Sequence, residues 1–374
     1  MKKKNKILEG NALYTIIAIV IGFIVGAVVI GFGGLNPGVV YGKLVDGIFG
    51  KPKYLFNSVV YAIPLILAGL SVAFSFRTGV FNIGAEGQFV VGALVSCVLG
   101  IKLDLPSWIV IPVYLLSAAA AGAIWSSLSA IMKVTRGINE VLSFIMLNWI
   151  AFYLSNYVVN LKGIKADGRE ATVDILPNAS IKFPQAVLDT LDCDTFNWGI
   201  VIAIAAAILI WYIINKTTLG YELRAVGYNK YAATYGGINS NRAIVTAMAI
   251  SGALAGLAGA TQILGNAGRI AQFAGQEGYG FQGITVALIG GSDPIGCIFA
   301  GLFYGAMKYG GSKLGMVHAP KEILDIIMGT VVIFIAVSHV FRNLFYDLIS
   351  RSRQKKEAKA VKAASSAPES REAK

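Results

Sequence analysis

Polar side chains stand at several places inside segments that are otherwise apolar. An ionisable group costs about 2.5–3.5 kcal/mol at the centre of a membrane, so such residues are rare there and often functional. Uncharged donors and acceptors beside aromatic faces are suited to hydrogen-bonding a polar solute along a water-filled path. The candidate residues for such a path are Asn82, Glu86, Gln88, Glu140, Asn148, Trp149, Gln262, Phe281 and Gln282.

The same residues also have a structural interpretation, which the sequence leaves open. Glu86 and Glu140 stand where helices are predicted to begin, and a carboxylate is favoured there by the helix dipole. Asn148 and Gln262 can bond across helices, which contributes under about 1 kcal/mol each. Two glycines flank Glu86, which predicts a local unwinding over residues 82–87 that presents backbone groups.

Other kinds of chemistry have no matching motif. A glycine precedes both Lys43 and Lys51, but Leu44 and Pro52 follow them where a phosphate-binding loop needs Ser or Thr. The two histidines are isolated, and the three cysteines have no metal-ligand or disulfide spacing. We therefore expect no catalytic residue, no metal site and no cofactor in this chain, which is predicted not to be an enzyme.

The composition indicates the elements that must hold the polar residues. The chain has 374 residues, of which 56% are hydrophobic and 14% are charged, whereas soluble domains carry about 25% charged residues. We predict an all-α, polytopic membrane protein of about ten transmembrane or re-entrant helices. Seven segments are long, namely 13–34, 55–76, 108–132, 141–159, 197–214, 243–265 and 322–341, and three are shorter, namely 87–101, 280–291 and 295–309.

An even number of crossings places both termini on one side, predicted to be the cytoplasm. This orientation puts 20 Lys and Arg residues inside and 12 outside, in agreement with the positive-inside rule. Nine of the 20 belong to the C-terminal tail, and without them the two sides are nearly equal. The predicted organisation is a basic cytoplasmic N-terminus over 1–12, a permease domain over 13–341 with an outer loop at 160–196, and a basic, disordered cytoplasmic tail over 342–374. Basic residues of the tail are expected to meet anionic lipid and no nucleic acid.

The loop over residues 215–242 is unusual for a simple connection. Residues 231–235 can form a short helix, with Asn229 as its N-cap and Gly236-Gly237 as its stop. A short apolar and aromatic helix exposed in the cytoplasm suggests a ligand for a groove on another protein. The alternative is a helix that lies on the lipid interface.

Four stretches give the chain a resemblance to a known family. They are residues 81–88 (FNIGAEGQ), 137–148 (GINEVLSFIMLN), 217–238, and 280–296 (GFQGITVALIGGSDPIG). Over residues 55–340 the chain resembles permease subunits of ATP-binding-cassette importers, in the group that includes branched-chain amino acid, ribose and simple-sugar permeases. The stretches look closest to the nucleoside-uptake branch.

The resemblance implies that this chain is one subunit of a larger transport complex. It implies a multi-pass protein of the bacterial cell membrane, paired with an identical or sister permease on two cytoplasmic ATPase subunits, and served by a lipoprotein solute-binding protein outside. ATP and Mg²⁺ would be used by the partner ATPase, and transport would proceed by alternating access. The loop 215–242 would hold the coupling helix, for which the matching residues are Gly220, Arg224, Gly227, Asn229, Ala232, Ala233, Gly236 and Ile238.

Other functions remain open at this point. A sugar importer permease of the same type is one alternative to a nucleoside importer. A secondary transporter driven by an ion gradient is another, since such proteins often contain inverted repeats with broken helices. A purely structural membrane subunit is the third alternative. Dependence of uptake on an ATPase separates the importer from the secondary transporter.

Overall fold

The computed structural model describes residues 11–320 and 322–337, and the regular secondary structure in them is helical. Beside the helices, those residues form isolated β-bridges but no strand. Most of the predicted N-terminal segment 1–12, and the whole predicted tail 342–374, lie outside the described residues. The helices are α1 (Asn11–Phe32), α2 (Pro37–Phe49), α3 (Pro52–Arg77), α4 (Ala85–Lys102), α5 (Ser107–Arg136), α6 (Glu140–Val159), α7 (Gln185–Leu191), α8 (Gly199–Lys216), α9 (Thr218–Tyr228), α10 (Lys230–Tyr235), α11 (Ser240–Gln262), α12 (Tyr279–Ile289), α13 (Pro294–Gly311) and α14 (322–337).

Seven helices of the described chain are long and apolar enough to cross a membrane, namely α1, α3, α4, α5, α6, α8 and α11 with the π-helical turn Ile263–Ala267. The all-helical membrane architecture is therefore confirmed. Helix α12 is apolar but has only 11 residues. The count of about ten crossings, and the side on which the termini lie, remain predictions.

Three helices, α2, α7 and α9, were not predicted from the sequence. Helix α2 begins at Pro37 behind the N-cap Asn36, whose Oδ1 accepts the Gly38 N–H at 2.9 Å. It carries Lys43 and Asp46 on its surface, so its sequence lacks the continuous apolar character of a span. Helix α9 lies in the loop 215–242, where Thr217 caps it by accepting the Gly220 N–H at 3.1 Å.

The described chain divides into two compact units. One contains residues 11–26 and 327–337, where Gly22 of α1 packs so tightly on Val331 that a Cβ would lie 2.3 Å from a valine methyl carbon. The other contains residues 27–326. All the polar residues considered for the path, and the loop 215–242, lie in this larger unit.

Helix α11 forms the centre of the larger unit, where it packs against α3, α4 and α5. Its glycines allow backbones to touch. A Cβ on Gly256 would lie 2.2 Å from the carbonyl oxygen of Ala118, and one on Gly92 would lie 2.4 Å from the Gly256 Cα. Small residues at this spacing support close helix crossings in membranes, and they explain the glycine spacing of α11.

The larger unit has two ends that differ in their contacts. At the Arg77 end, the side chain of Arg77 donates from Nε to the carbonyl oxygen of Ser292 at 3.0 Å, and Gly227 of α9 touches the Arg77 carbonyl group. At the Asp174 end, Arg269 pairs with Asp174 at 3.2 Å. Helix α3 connects the two ends, because it ends at Arg77 and begins beside Asp192, which pairs with Lys53 at 2.9 Å.

Two helices of the larger unit, α4 and α12, begin after non-helical segments that we call breaks. Residues 78–84 are non-helical between α3 and α4, and residues 268–278 are non-helical between α11 and α12. The predicted unwinding over 82–87 is confirmed for residues 82–84, while Glu86 and Gly87 already belong to the first turn of α4. Non-helical backbone at membrane depth is tolerated only where protein or a water-filled cavity covers it, so these two breaks mark the region in which a path can be sought.

Candidate functional site

A buried amide pair fixes the first break. Asn82 Nδ2 donates to Gln88 Oε1 at 2.8 Å, and Gln88 Nε2 donates back to Asn82 Oδ1 at 2.9 Å. Asn82 Nδ2 also reaches Ser251 Oγ at 2.7 Å, and that hydroxyl lies 3.0 Å from Ser71 Oγ. All four side chains are fully buried, so this network joins α3, α4 and α11 behind the break.

Asn148 brings α6 to the same break. Its Oδ1 accepts the Gly87 N–H at 2.9 Å, and its Nδ2 donates to the Ile83 carbonyl oxygen at 3.0 Å. A Cβ on Gly87 would lie 2.8 Å from Asn148 Oδ1, so the glycine is required for this approach. Asn148 thereby satisfies backbone groups that the interruption leaves without helical partners.

Glu86 connects the first break to the second. Its Oε1 accepts the Gly278 N–H and its Oε2 accepts the Gly280 N–H, both at 2.7 Å. Helix α12 has no side-chain cap of its own, because its N-cap residue is Gly278 with φ of +83°. Glu86, which is 1% exposed, therefore stands in the first turn of α4 and also caps α12. The helix-start interpretation of this carboxylate fits both helices.

Lys308 lies beside the start of α12. Its Nζ donates to Gln282 Oε1 at 2.8 Å and stands 3.6 Å from the centre of the Tyr279 ring. The other neighbour of that ring is Phe89, which stacks on it at 5.0 Å and 16°. Among the residues described, no carboxylate lies within 4.0 Å of the Lys308 ammonium.

Neither Lys308 nor Tyr279 was predicted from the sequence to be functional. The available signal was a single charged residue near the end of the apolar, glycine-rich segment 295–309, because a lysine at such a position is expensive and usually functional. Tyr279 gave no signal of its own, since it follows a polar stretch and precedes a short apolar one. We refer to Glu86, Tyr279, Gln282 and Lys308 as the helix-start cluster.

Three predicted path residues, Trp149, Phe281 and Gln262, are incompletely buried. Trp149 is 44% exposed, and its ring neighbours are Phe152 and Tyr153 on the same helix. Phe281 is 38% exposed beside the cluster. Gln262 is half-buried at the end of α11, where its Oε1 accepts from Asn266 Nδ2 at 3.5 Å.

Glu140 has a local partner. It begins α6 and forms an ion pair with Lys133, which stands near the end of α5. Asn139, the preceding residue, caps α6 by accepting the Val141 N–H at 2.9 Å. The structure thus brings Asn82, Glu86, Gln88, Asn148 and Gln282 to the two helix starts, and it places Glu140 at the α5–α6 turn.

The predicted short helix in the loop 215–242 is confirmed as α10. Asn229 is its N-cap, with Oδ1 accepting the Tyr231 and Ala232 N–H groups at 3.0 Å each. Gly236 follows the last helical residue, and the Ile238 N–H returns to the Ala233 carbonyl oxygen at 3.0 Å. Ala233 is buried, whereas Ala232 is exposed.

Helix α10 and the last residue of α9 form an exposed aromatic surface. Tyr228, Tyr231 and Tyr235 are 90%, 86% and 97% exposed. Beside them lies an open recess of about 890 Å³ between α10 and the start of α11. The Thr234 and Ser240 hydroxyl groups, 2.6 Å apart, hold α10 to α11. Large exposed aromatic groups of this kind mark a surface that binds another protein or a membrane.

Three further residues of this loop hold α9 in place. Gly220 approaches the carbonyl groups of α8, where a Cβ would lie 2.0 Å from the Ile213 oxygen. Gly227 approaches the end of α3, where a Cβ would lie 2.3 Å from the Arg77 oxygen. Arg224 donates from Nε to the Gly220 oxygen at 3.3 Å. The aromatic helix α10 is therefore connected through α9 to the Arg77 end of α3.

The described residues offer no group of three or more His, Cys, Asp or Glu side chains that could hold a metal ion. Cys97, Cys193 and Cys297 are free and buried. The polar groups at the helix starts are paired amides, one carboxylate and one ammonium. They can form hydrogen bonds with a solute, but they include no activated nucleophile.

The sequence of this chain matches a known family and several curated proteins. Residues 54–336 match the family described as the permease component of the branched-chain amino acid transport system. No solved structure matches the chain. Among curated relatives, the guanosine ABC transporter permease NupP of Bacillus subtilis is 39% identical over 89% of this chain and 95% of its own length.

Two further relatives share most of the chain. The nucleoside ABC transporter permease NupB of Lactococcus lactis is 33% identical over 88% of this chain and 92% of its own length. The glucose ABC transporter permease TsgB13 of Haloferax volcanii is 32% identical over 82% of this chain and 81% of its own length. The chain is a multi-pass membrane protein that belongs to the family of branched-chain amino acid transport system permeases.

Proposed function

We propose that this chain is the membrane-spanning permease subunit of an ATP-driven nucleoside importer. Two relatives that cover most of the chain are permeases for guanosine and nucleosides. The observation that carries the proposal is α10, a capped helix that exposes two tyrosines beside the exposed Tyr228 of α9 and is joined through α9 to the end of α3. A chain without a nucleotide-binding loop needs such a surface if its transport is driven by ATP.

In this proposal, α10 is the coupling helix. Its exposed tyrosines enter a groove on a cytoplasmic ATPase subunit, which binds ATP and Mg²⁺, and Gly227 transmits the movement to the end of α3. The Arg77 end then faces the cytoplasm, and both termini lie on that side of about ten membrane segments. The interface-helix alternative is less well supported, because a helix lying on lipid needs an apolar face and α10 exposes tyrosines, a threonine and a lysine.

We place the solute path at the two helix starts. The breaks before α4 and α12 meet at Glu86, and discontinuous helices of this kind form solute sites near the membrane midplane in transporters. Phe281, Gln282 and Gln262 are incompletely buried there. Asn82, Gln88 and Asn148 support the broken backbone and are exposed only in another conformation. Trp149 and Glu140 are also assigned to the path, because they lie on α6 together with Asn148.

The proposed importer contains further subunits besides this chain and the ATPase. A second permease, identical or a sister chain, completes the membrane unit. A lipoprotein solute-binding protein docks on the Asp174 end, where residues 160–198 are held by the Arg269–Asp174 and Lys53–Asp192 pairs. No partner nucleic acid is proposed, and anionic lipid is the expected neighbour of the basic tail.

The test is uptake of radiolabelled solutes by cells that express the chain with its ATPase and binding protein. Concentrative uptake of guanosine that is lost when the ATPase is inactivated supports the proposal. Uptake of glucose but not of nucleosides would assign the chain to the sugar branch, for which the likeness to a glucose permease is the supporting observation. Uptake that survives loss of the ATPase and collapses with a protonophore would identify a secondary transporter.

A further inference from the structure

Lys308 is the only charged residue of α13, an otherwise apolar helix rich in glycine. Its neighbours in space are α2, α3, α8 and α12, which pack against α13. A lysine that only needed to reach water would extend toward an interface. The Lys308 ammonium instead lies over the Tyr279 ring and beside Gln282, next to the start of α12.

Among the residues that the structure describes, the Lys308 ammonium has more N–H donors than hydrogen-bond partners. Lysine carries three N–H donors; one is given to Gln282 Oε1, and the Tyr279 ring occupies one side of the charge. Glu86 does not neutralise it by direct pairing, since both carboxylate oxygens of Glu86 already accept backbone N–H groups at 2.7 Å. In the part of the chain that the structure describes, Lys308 has no ion pair within 4.0 Å.

The surroundings of Lys308 are open on one side. Lys308 and Gln282 are half-buried, and Glu277 and Phe281, which flank the first residues of α12, are exposed. The start of α12 thus carries a partly accessible aromatic ring, Phe281, next in sequence to Gln282, the hydrogen-bond partner of the ammonium. An aromatic face beside a hydrogen-bond donor is an arrangement that suits a nucleobase, because every base has a π-face for stacking.

We propose that Lys308 is a specificity-determining residue that donates a hydrogen bond to the base of the transported nucleoside and favours 6-oxopurines. This inference rests on the proposed nucleoside function. Guanine presents the O6 and N7 acceptors side by side, and lysine binds that pair well. Adenine replaces O6 by an amino donor, which opposes an ammonium. The predicted preference is guanosine and inosine over adenosine.

The experiment measures KM for uptake of guanosine, inosine and adenosine by the complete transporter. The variants are Lys308→Met, Lys308→Arg and the control Lys313→Met. Lys313 also stands near tyrosine rings, 5.4 Å from Tyr54 and 5.1 Å from Tyr309, but outside the helix-start cluster. Lys308→Met should raise KM for guanosine and inosine at least ~10-fold, the discrimination typical of one such contact, and leave adenosine within ~2-fold. Lys308→Arg should keep the 6-oxopurine preference.

A second measurement needs no variant. In the wild-type transporter, inosine should compete with labelled guanosine at least ~10-fold better than adenosine does. Equal competition, or an equal loss of all three nucleosides in Lys308→Met, would overturn the assignment of Lys308 while leaving nucleoside import intact. Failure of the wild-type system to import any nucleoside would instead overturn the proposed function.

Discussion

Glu86 and Gly280 stand 194 residues apart and meet at the starts of two interrupted helices. The carboxylate of Glu86 accepts the Gly280 N–H at 2.7 Å, and a Cβ on Gly280 would lie 2.1 Å from the Glu86 backbone nitrogen. One carboxylate therefore serves the positive ends of α4 and α12 together. Any movement that separates the two helices must first break this contact.

We predict that Glu86→Gln weakens both folding and transport. Glutamine keeps one acceptor oxygen, but its amide nitrogen is a donor and cannot accept the second N–H from α12. The buried N–H that is left without a partner should lower the free energy of unfolding by about 1–3 kcal/mol. Thermal unfolding in detergent and nucleoside uptake measure the two effects. Asp46→Asn, an exposed carboxylate on α2, is the control. Wild-type melting and uptake in Glu86→Gln would contradict the role of this cap.

Asn148→Ala is expected to reduce uptake more than it reduces the amount of folded protein. The substitution removes the contacts to the Gly87 N–H and the Ile83 carbonyl group, so the start of α4 loses its support from α6. The measurement is the rate of uptake per inserted transporter. Thr135→Ala, exposed near the end of α5, is the control. Unchanged uptake kinetics would remove Asn148 from the solute path.

The two alanines of α10 should respond differently to a charge. Ala232 is exposed, so Ala232→Glu should abolish uptake without changing the level of inserted protein. Ala233 is 6% exposed, so Ala233→Glu should also destabilise the loop. Thr135→Glu, exposed near the end of α5, is the control. Normal transport by Ala232→Glu would show that α10 does not dock into a partner.

Gly256→Val tests the central helix crossing. Its Cβ would lie 2.2 Å from the Ala118 carbonyl oxygen, which belongs to the backbone and cannot move aside. We expect a loss of about 2 kcal/mol or more and little folded protein, as for other overpacked interiors. Fluorescence-detected size exclusion gives the folded fraction. Gly42→Ala, where no atom lies within 4 Å of the added Cβ, should behave as the wild type. A well-folded Gly256→Val variant would refute the tight crossing.

Local signals in the sequence predicted several elements correctly. The Asn229 cap and the Gly236-Gly237 stop define α10, because capping depends on residues within one turn of the helix end. The glycines around Glu86 indicated the break before α4 for a similar local reason.

Contacts between distant residues could not be predicted in the same way. The partner of Glu86 is backbone, and a backbone N–H leaves no trace in the residue types of the segment that supplies it. Lys308 meets Tyr279 only because α13 and α12 pack side by side. Helix α2 was missed because it has only 13 residues and carries Lys43 and Asp46, so it is too short and too polar for a membrane span, although its buried residues Val40, Leu44 and Ile48 recur at helical spacing.

The side of the membrane that α10 faces decides whether α10 can dock on a cytoplasmic ATPase. The three natural cysteines are buried, so a cysteine introduced as Tyr231→Cys can be labelled selectively by a membrane-impermeant maleimide, and Asp189→Cys on α7 reports the opposite end. We predict that Tyr231→Cys is labelled only in inside-out vesicles and is protected when the ATPase subunit is bound, while Asp189→Cys is labelled only in intact cells. Labelling of Tyr231→Cys from outside intact cells would contradict the coupling role of α10.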